Sequence, residues 1–263
     1  MLRERTLFGP VDLIAKSIAR LKEFESQACA MNPAGYWVAF SGGKDSIVLL
    51  DLVRRSGVKH ETHYNITTVD PPELTCFIRE YYPEVKRDRP AIGMFQLIIK
   101  NRMPPTRTMR YCCRVLKERG GSSRFVITGI RWAESTRRQQ RRMTEVCFND
   151  SRKRYLHPLI EWTDADVWQY IRENQLPYCR LYDEGFTRIG CILCPMAERD
   201  RHLHAIRWPK FKAAYIHAFD LMVINRKADG LVTEWENGQA VWDWWMQDTK
   251  KDKTDPDQTV LFE

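Results

Sequence analysis

A short apolar run, a glycine-containing loop and a second apolar run constrain the fold of this chain more than any other feature. Tyr36–Phe40 predicts a buried strand, Ser41–Ser46 predicts a loop, and the apolar residues of 47–53 predict a helix. A strand that turns directly into a helix is typical of α/β folds, in which anions bind at the helix N-terminus. The stretch therefore predicts an α/β fold with an anion site after its first central strand.

Further strand and helix patterns alternate along the chain. They predict helices at Val11–Glu25, Leu74–Tyr82, 163–171 (with Thr163 as N-cap) and Trp208–Asn225, and strands at His63–Val69 and Phe125–Ile130. The alternation favours a Rossmann-like parallel sheet with helices on both faces. We predict an N-terminal helix in residues 1–30, the α/β domain in 31–200 and a helical C-terminal extension in 201–263. The charged segment Lys250–Asp257 is expected to be mobile.

Composition narrows the class of protein and its surroundings. No apolar run approaches the ~20 residues of a membrane span, and the first residues lack the apolar segment of a secretory signal. The eight cysteines are therefore expected in a reducing cytoplasm, where metal binding or redox chemistry outweighs disulfides. A net charge of +8 favours anionic partners, either nucleotides or a nucleic-acid backbone.

Two cysteine pairs, Cys112-Cys113 and Cys191 with Cys194, predict a four-ligand site. Four thiolates suit an iron–sulfur cluster or a structural zinc ion, and unliganded buried thiols are the alternative. The other four cysteines are expected to be small core residues: Cys29, Cys76, Cys147 and Cys179.

The loop Ser41-Gly42-Gly43-Lys44-Asp45-Ser46 has the composition of a phosphate-binding loop. Its glycines let backbone amides approach an anion, Lys44 adds a positive charge, and its two serines add hydroxyl donors. The spacing differs from that of a Walker loop. An ordinary glycine turn before a helix is the alternative.

Three polar residues follow predicted strands: Ser41, Asp70 and Arg131. Because ligands of parallel sheets bind at the carboxyl ends of the strands, we expect these residues to converge on one crevice. Gly129 is predicted to allow a close backbone approach at a strand end. Asp70 is predicted either to bind Mg²⁺ or adenosine, or to cap the turn before Pro71.

Five separate motifs resemble the phosphoadenosine phosphosulfate (PAPS) reductase family, within the N-type ATP pyrophosphatases of the adenine nucleotide alpha hydrolase superfamily. The resemblance covers residues 36–196. It rests on Ser41–Ser46, Arg110–Cys113 with Lys117, Gly129–Arg131 with Glu134, Ser135 and Arg138, His157–Trp168, and Leu181–Phe186 leading into Gly190–Cys194.

The resemblance implies a set of site residues. Cys112, Cys113, Cys191 and Cys194 fall on the positions that hold a 4Fe–4S cluster in some members, with Zn²⁺ as the alternative. Lys117 matches a family lysine beside the cluster and the nucleotide's anionic end; its alternative is a solvated helix lysine. The predicted nucleotide-binding residues are Ser41, Gly42, Gly43, Lys44, Asp45, Ser46, Asp70, Gly129 and Arg131.

The chain departs from the reductases of this family in two ways. It has no cysteine after Cys194, where those reductases carry a nucleophilic cysteine, and it keeps Lys44 and both loop serines. We therefore predict an ATP pyrophosphatase that uses Mg²⁺ and cleaves ATP between the α and β phosphates. The predicted catalytic residues are Lys44, Asp45, Lys117, Arg131 and Arg138.

Such an enzyme resembles the DNA phosphorothioation proteins of the DndC and SspD type and, more distantly, the tRNA thiolases. The resemblance implies sulfur insertion into nucleic acid, DNA rather than tRNA, with a cysteine desulfurase as sulfur source. The arginine-rich run 137–142 favours nucleic-acid contact, with a solvated face as the alternative. Trp242–Trp245 is predicted to pack internally or at an interface rather than to stack bases.

Two other functions remain open from the sequence. One is a sulfonucleotide reductase, acting on adenosine phosphosulfate (APS) or PAPS, that takes its thiol from another protein. The other is a nucleotide-binding partner subunit with a structural four-cysteine metal site and no turnover.

Overall fold

The computed structural model of the chain describes residues 2–6, 9–148, 150–197 and 200–247. The strands in these ranges are β1 (Arg3–Thr6), β2 (Gly9–Asp12), β3 (Tyr36–Ala39), β4 (His60–Asn65), β5 (Lys86–Asp88), β6 (Phe125–Ile127), β7 (Thr144–Cys147) and β8 (Asp150–Leu156). The α-helices are α1 (Leu13–Glu23), α2 (Glu25–Met31), α3 (Lys44–Ser56), α4 (Pro72–Tyr81), α5 (Met94–Asn101), α6 (Thr136–Gln139), α7 (Asp164–Glu173), α8 (Asp200–Arg207), α9 (Pro209–Ala228) and α10 (Gly238–Met246).

Within the described ranges, six strands form one sheet in the order β5-β4-β3-β6-β8-β7. Neighbours are parallel except for β7 and β8, which pair antiparallel. Phe148 and Asn149 alone separate these two strands, a connection far too short for a parallel crossover. The predicted α/β class and its largely parallel sheet with flanking helices are confirmed, and the antiparallel edge is an addition.

Helices α1, α3 and α7 pack around one apolar core on the sheet. Val38 of β3, Leu49 of α3 and Trp162 before α7 are buried in it. Helix α7 begins as predicted: the Thr163 hydroxyl accepts from the Asp166 amide, while the Asp166 carboxylate accepts from the Thr163 amide. This cap fixes the start of α7, and with it the position of Asp164.

The second central strand differs from its prediction at both ends. It was expected at His63–Val69, but β4 covers His60–Asn65 and pairs with the short β5 only over its last residues. Thr68 has a φ of 67°, in the left-handed region, so the chain leaves the extended conformation there. Asp70 consequently lies in a loop beyond the strand rather than directly at its end.

Contacts group the chain into two compact units. One comprises residues 1–91 and 112–191 and contains the six-stranded sheet; the other comprises residues 92–111 and 192–263. The predicted division at residues 30 and 200 follows the linear sequence, whereas residues 92–111 associate with the C-terminal helices. The predicted mobile segment Lys250–Asp257 lies outside the described residues.

In the second unit, α9 confirms the predicted long helix and packs against α5 and α10. Trp242 and Trp245 of α10 are buried, and the Trp245 indole donates to the Pro105 carbonyl at 2.6 Å. These indoles form the unit's core, in agreement with the predicted packing role. None of the helices in the described ranges combines the length and apolar character that a membrane span requires.

Candidate active site

The loop between β3 and α3 has the strand–loop–helix geometry predicted for it. Gly42 has a φ of 71°, and a Cβ there would lie 2.7 Å from the Leu74 side chain and 2.8 Å from that of Ile78. A larger residue would have to push α4 away, so glycine is needed for both conformation and space. Helix α3 begins at Lys44, with Gly43 as its N-cap.

The two loop serines bond to the loop itself. The Ser46 hydroxyl donates to the Gly43 carbonyl at 2.8 Å and accepts from the Ser41 amide at 3.2 Å. The Ser41 hydroxyl accepts from the Gly43 amide at 3.4 Å. These bonds set the loop's shape, and the predicted donation to phosphate oxygens stays a prediction.

Lys44 is 6% exposed and its ammonium lies between two carboxylates. Its Nζ is 3.2 Å from Oδ1 of Asp164 and 3.8 Å from Oδ2 of Asp45. Its backbone amide, the first of α3, donates to the Tyr182 hydroxyl at 2.9 Å. An anion that binds this amide must displace the tyrosine hydroxyl.

Arg131 completes the network and is 1% exposed. Its Nε donates to Oδ1 of Asp45 at 2.7 Å, and another guanidinium nitrogen donates to Oδ1 of Asp164 at 2.8 Å. Burial alone lowers the pKa of Arg131, but the two carboxylates outweigh it and hold the pKa above its ordinary value. For Asp164, burial raises the pKa, while Lys44 and Arg131 bring it below the ordinary value.

Gly129 brings the end of β6 against the start of α3. A Cβ at this residue would lie 3.0 Å from the Asp45 carbonyl oxygen and 3.1 Å from its carbonyl carbon. The predicted close backbone approach is present, and it places Arg131 within reach of Asp45.

Asp70 caps a turn. Its Oδ2 accepts from the Thr67 amide at 2.7 Å. This matches the turn-capping alternative considered for it. The predicted role in binding Mg²⁺ or adenosine stays a prediction.

Arg138 forms an ion pair with Glu134, four residues earlier, rather than with a loop residue. Glu134 also accepts from the Arg131 amide at 2.9 Å, and the Ser135 hydroxyl accepts from the Arg138 amide at 3.3 Å. Glu134 and Ser135, whose roles the sequence left open, therefore cap two short helical turns. Arg141 of the same basic run pairs with Glu145 at 3.0 Å, and nucleic-acid contact by this run stays a prediction.

The four predicted metal ligands divide between the two units. Cys112, Cys113 and Cys191 belong to the unit with the sheet and Cys194 to the other. In the described part of the chain, no three His, Cys, Asp or Glu side chains gather as a metal site requires. The donor set suits a four-thiolate centre, and the 4Fe–4S or zinc assignment stays a prediction.

Cys191 nevertheless lies at the edge of the sheet where anions are expected. Its thiol donates to the Thr67 hydroxyl at 3.5 Å, and Thr67 follows β4 as Ser41 follows the parallel β3. Lys117, the last residue of a π-helix that begins at Cys113, has its Nζ 4.0 Å from the Cβ position of Gly190. Lys117 thus lies beside the residue that precedes Cys191, and its predicted place next to a cluster and the nucleotide stays a prediction.

Sequence reasoning missed two residues of the network. Asp164 was seen only as part of the α7 cap region, although it binds both Lys44 and Arg131. Tyr182 was seen only as part of a family motif, although its hydroxyl contacts the loop amide. Asp164 follows a helix cap and Tyr182 lies within a motif, both of which the sequence did mark. Neither pattern specifies Lys44 as a partner, which lies 120 residues before Asp164 and 138 before Tyr182.

Comparison with known proteins identifies the larger part of the chain. Residues 35–197 match the family model described as the phosphoadenosine phosphosulfate reductase domain. A protein named adenosine 5'-phosphosulfate reductase from Geobacillus kaustophilus is 31% identical over 186 residues, which cover 65% of this chain and 77% of that protein. A protein of the same name from Shouchella clausii is 30% identical over 182 residues, 60% of this chain and 70% of the relative.

Two further matches are weaker, one in the share of the relative that is covered and the other in sequence identity. An uncharacterised protein of Methanocaldococcus jannaschii is 30% identical over 175 residues, and the match spans only 36% of its length. The crystal structure of a phosphoadenylyl-sulfate reductase from Candida auris, a phosphate complex, matches with a TM-score of 0.49 and 21% identity, covering 67% of this chain and 88% of that one. The DndC and SspD likeness receives no support from these matches.

Proposed function

We propose, because the chain belongs to the phosphoadenosine phosphosulfate reductase domain family, that it is an enzyme that reduces a sulfonucleotide with a thiol supplied by another molecule. The observation that carries the proposal is its 30–31% identity to proteins named adenosine 5'-phosphosulfate reductase, over most of their length. We assign the thiol to another molecule because none of the residues 195–263 is a cysteine.

The predicted ATP cleavage with sulfur transfer to DNA is wrong. The named relatives are adenosine 5'-phosphosulfate reductases, which favour the reductase alternative. The error came from reading the retained Lys44 as a triphosphate ligand. Its ammonium pairs with Asp164 at 3.2 Å, so it has a structural role that needs no ATP. The cysteine desulfurase and the DNA acceptor were inferred from that function and lose their basis with it.

The proposed reaction balances with a dithiol as reductant. A thiolate of the donor attacks the sulfate sulfur of the phosphosulfate group, the S–O bond to the phosphate breaks, and AMP, or its 3'-phosphate, leaves with the electron pair. The product is a thiol that carries a sulfonate. The second thiol of the donor attacks the sulfonated thiol sulfur and gives sulfite and a disulfide, so the two thiols are oxidised as sulfur(VI) becomes sulfur(IV).

The chain's own residues would bind and orient the anionic end of the nucleotide. Once the Tyr182 hydroxyl moves away, the backbone amides at the start of α3 could donate to an anion, and the partial positive charge of the helix N-terminus would strengthen this binding. The ion pair with Asp164 holds the Lys44 ammonium near these amides. Lys117 would add a second cation beside Cys191. Cys112, Cys113, Cys191 and Cys194 would hold a cluster, which would supply redox capacity. The reducing cytoplasm inferred from cysteine usage stays a prediction.

The test is anaerobic incubation with APS or PAPS and a dithiol, followed by measurement of sulfite and AMP. Lys44→Ala leaves Asp45 and Asp164 with one cation fewer, so the network beside the loop gains a net negative charge that disfavours an anionic substrate by about 1.5–3 kcal/mol. We therefore expect kcat/KM to fall roughly 10–100-fold. Lys210→Ala, an exposed lysine of α9, is the matched control and should leave kcat/KM unchanged. Absence of sulfite with either nucleotide and any dithiol would refute the proposal. Equal rates for the two variants would remove Lys44 from it.

A further inference from the structure

A cavity, which we name the arginine cavity, lies between α4 and the ends of β4 and β5. Its volume is about 450 Å³. It is lined by Tyr64, Ile66, Thr75, Cys76, Arg79, Arg87 and Arg89. Neither the resemblance nor the candidate active site assigns a role to this cavity.

Three arginines line the cavity without a carboxylate among the described lining residues. Arg79, Arg87 and Arg89 are exposed, and no ion pair joins them to a carboxylate in the described ranges. Elsewhere in the same unit, arginines such as Arg131 and Arg124 pair with Asp or Glu. Three cations that share one cavity repel each other, and an anion with several oxygens would relieve that repulsion.

Tyr64 adds a buried hydroxyl to this charge. The side chain is 4% exposed, and its buried hydroxyl makes no hydrogen bond of good geometry with the described residues. Buried tyrosine hydroxyls normally have a partner. Burial, the nearby Asp70 charge and a weak hydrogen bond to the Asp70 carboxylate raise the pKa of Tyr64, so the hydroxyl keeps its proton. An oxygen of a bound ligand would compete with Asp70 for this donor.

The cavity lies on a different face of α4 from the phosphate loop. Leu74 and Ile78 occupy the space beside Gly42, whereas Thr75, Cys76 and Arg79 line the cavity. The lining includes none of the loop residues 41–46. A ligand in the cavity would therefore not use the contacts of the candidate active site.

We propose that the arginine cavity binds a small molecule that carries a phosphate or sulfate ester. Guanidinium groups match the geometry of tetrahedral oxyanions, and the Tyr64 hydroxyl supplies a neutral donor. The volume falls in the range of about 300–1,000 Å³ typical of small-molecule sites, larger than a bare oxyanion needs. The ester is therefore favoured over free phosphate or sulfate.

Cys76 gives a direct readout of occupancy. It was expected in the core, but it is exposed because it lies on the cavity side of α4, with its Sγ 3.7 Å from an Arg79 nitrogen. A bound ligand should shield it from iodoacetamide, whose reaction at this residue is followed by peptide mass spectrometry. At a ligand concentration ten times Kd, the alkylation rate should fall roughly tenfold.

The probes are AMP, inorganic phosphate, inorganic sulfate and adenosine. Protection by AMP at concentrations where phosphate and sulfate do nothing supports the proposal. Equal protection by the free oxyanions, protection by adenosine, or no protection at all overturns it. Lys44→Ala should retain the protection, which separates this test from that of the proposed reductase function.

The charge is tested with a double variant and two comparisons. Arg87→Ala/Arg89→Ala should abolish protection of Cys76 by AMP. Arg87→Lys/Arg89→Lys keeps the charge, controls for misfolding, and should only weaken the protection. Arg137→Ala/Arg142→Ala removes the same charge from exposed arginines outside the cavity and should leave protection intact. Loss of protection in this last variant would show that only net charge matters and would refute a site.

Discussion

Arg131→Ala should destabilise the protein far more than the loss of a surface arginine. Arg131 is 1% exposed and donates to Asp45, Asp164 and the Trp162 carbonyl, at 2.7, 2.8 and 3.2 Å. Its removal leaves carboxylates without a guanidinium and a carbonyl without a donor. These contacts give Arg131 a stabilising role, and the catalytic role predicted from the sequence stays a prediction.

The surroundings of the two carboxylates set the magnitude. Removal of one partner from a buried ion pair costs about 3–5 kcal/mol. The Asp164 side chain is 62% exposed and water can solvate it, and Asp45, 23% exposed, still has Lys44 at 3.8 Å. We therefore expect the lower end, about 3 kcal/mol, which corresponds to a fall in Tm of roughly 6–12 °C.

Urea unfolding, followed by circular dichroism, measures this loss as a change in midpoint. Arg131→Lys retains one ion pair and should lose about half as much. Arg137→Ala, an exposed arginine of the neighbouring helix α6, is the control and should stay within about 0.5 kcal/mol. If Arg131→Ala unfolded at the same urea concentration as Arg137→Ala, the network would not stabilise the fold and Arg131 would be available for catalysis.

Three further predictions concern other parts of the chain. Burial, with Arg141 and Arg138 nearby, lowers the pKa of His157 to about 3 in the folded protein, compared with ~6.5 in the unfolded chain. Above pH ~6.5 the histidine is neutral in both states; below that value the unfolded chain binds the proton first, so the free energy of unfolding should fall by about 1.4 kcal/mol per pH unit. His157→Gln should flatten this slope in acid titrations of unfolding. Gly129→Ala should cost about 1–3 kcal/mol in urea unfolding, because its Cβ would press on the Asp45 carbonyl; unchanged stability would show that α3 can shift freely. Anaerobic purification should yield about four iron atoms per chain with broad visible absorption if the sequence-based cluster assignment holds; a colourless protein with zinc would favour the alternative, and Cys112→Ser should lower either metal content.

The local features of the candidate site were predictable from the sequence. The glycines of the loop, the apolar residues of β3 and α3, and the Thr163 cap each act within a few residues, where period and turn chemistry are informative. The close backbone approach at Gly129 was also predictable, because a glycine at a strand end allows such an approach whichever residue lies opposite.

Partners distant in sequence were not predictable in the same way. Asp164 lies 120 residues after Lys44 (164 − 44) and reaches it only because α3 and α7 pack together. The end of β4 depends on the short partner β5, which carries no apolar pattern of its own in Lys86–Asp88. The antiparallel edge follows from a tight connection that the charged sequence around Asn149 does not mark.

The charge balance of the network explains why the retained lysine misled the sequence interpretation. Lys44 and Arg131 contribute two positive charges, and Asp45 and Asp164 contribute two negative ones, so the group is neutral as a whole. A neutral group offers no net attraction for the four charges of a nucleoside triphosphate. Affinity at the loop must then come mainly from backbone amides and the N-terminus of α3, whose partial charge is about half a unit. This small positive potential suits the few negative charges of a phosphosulfate better than the four of ATP, in agreement with the proposed reductase function.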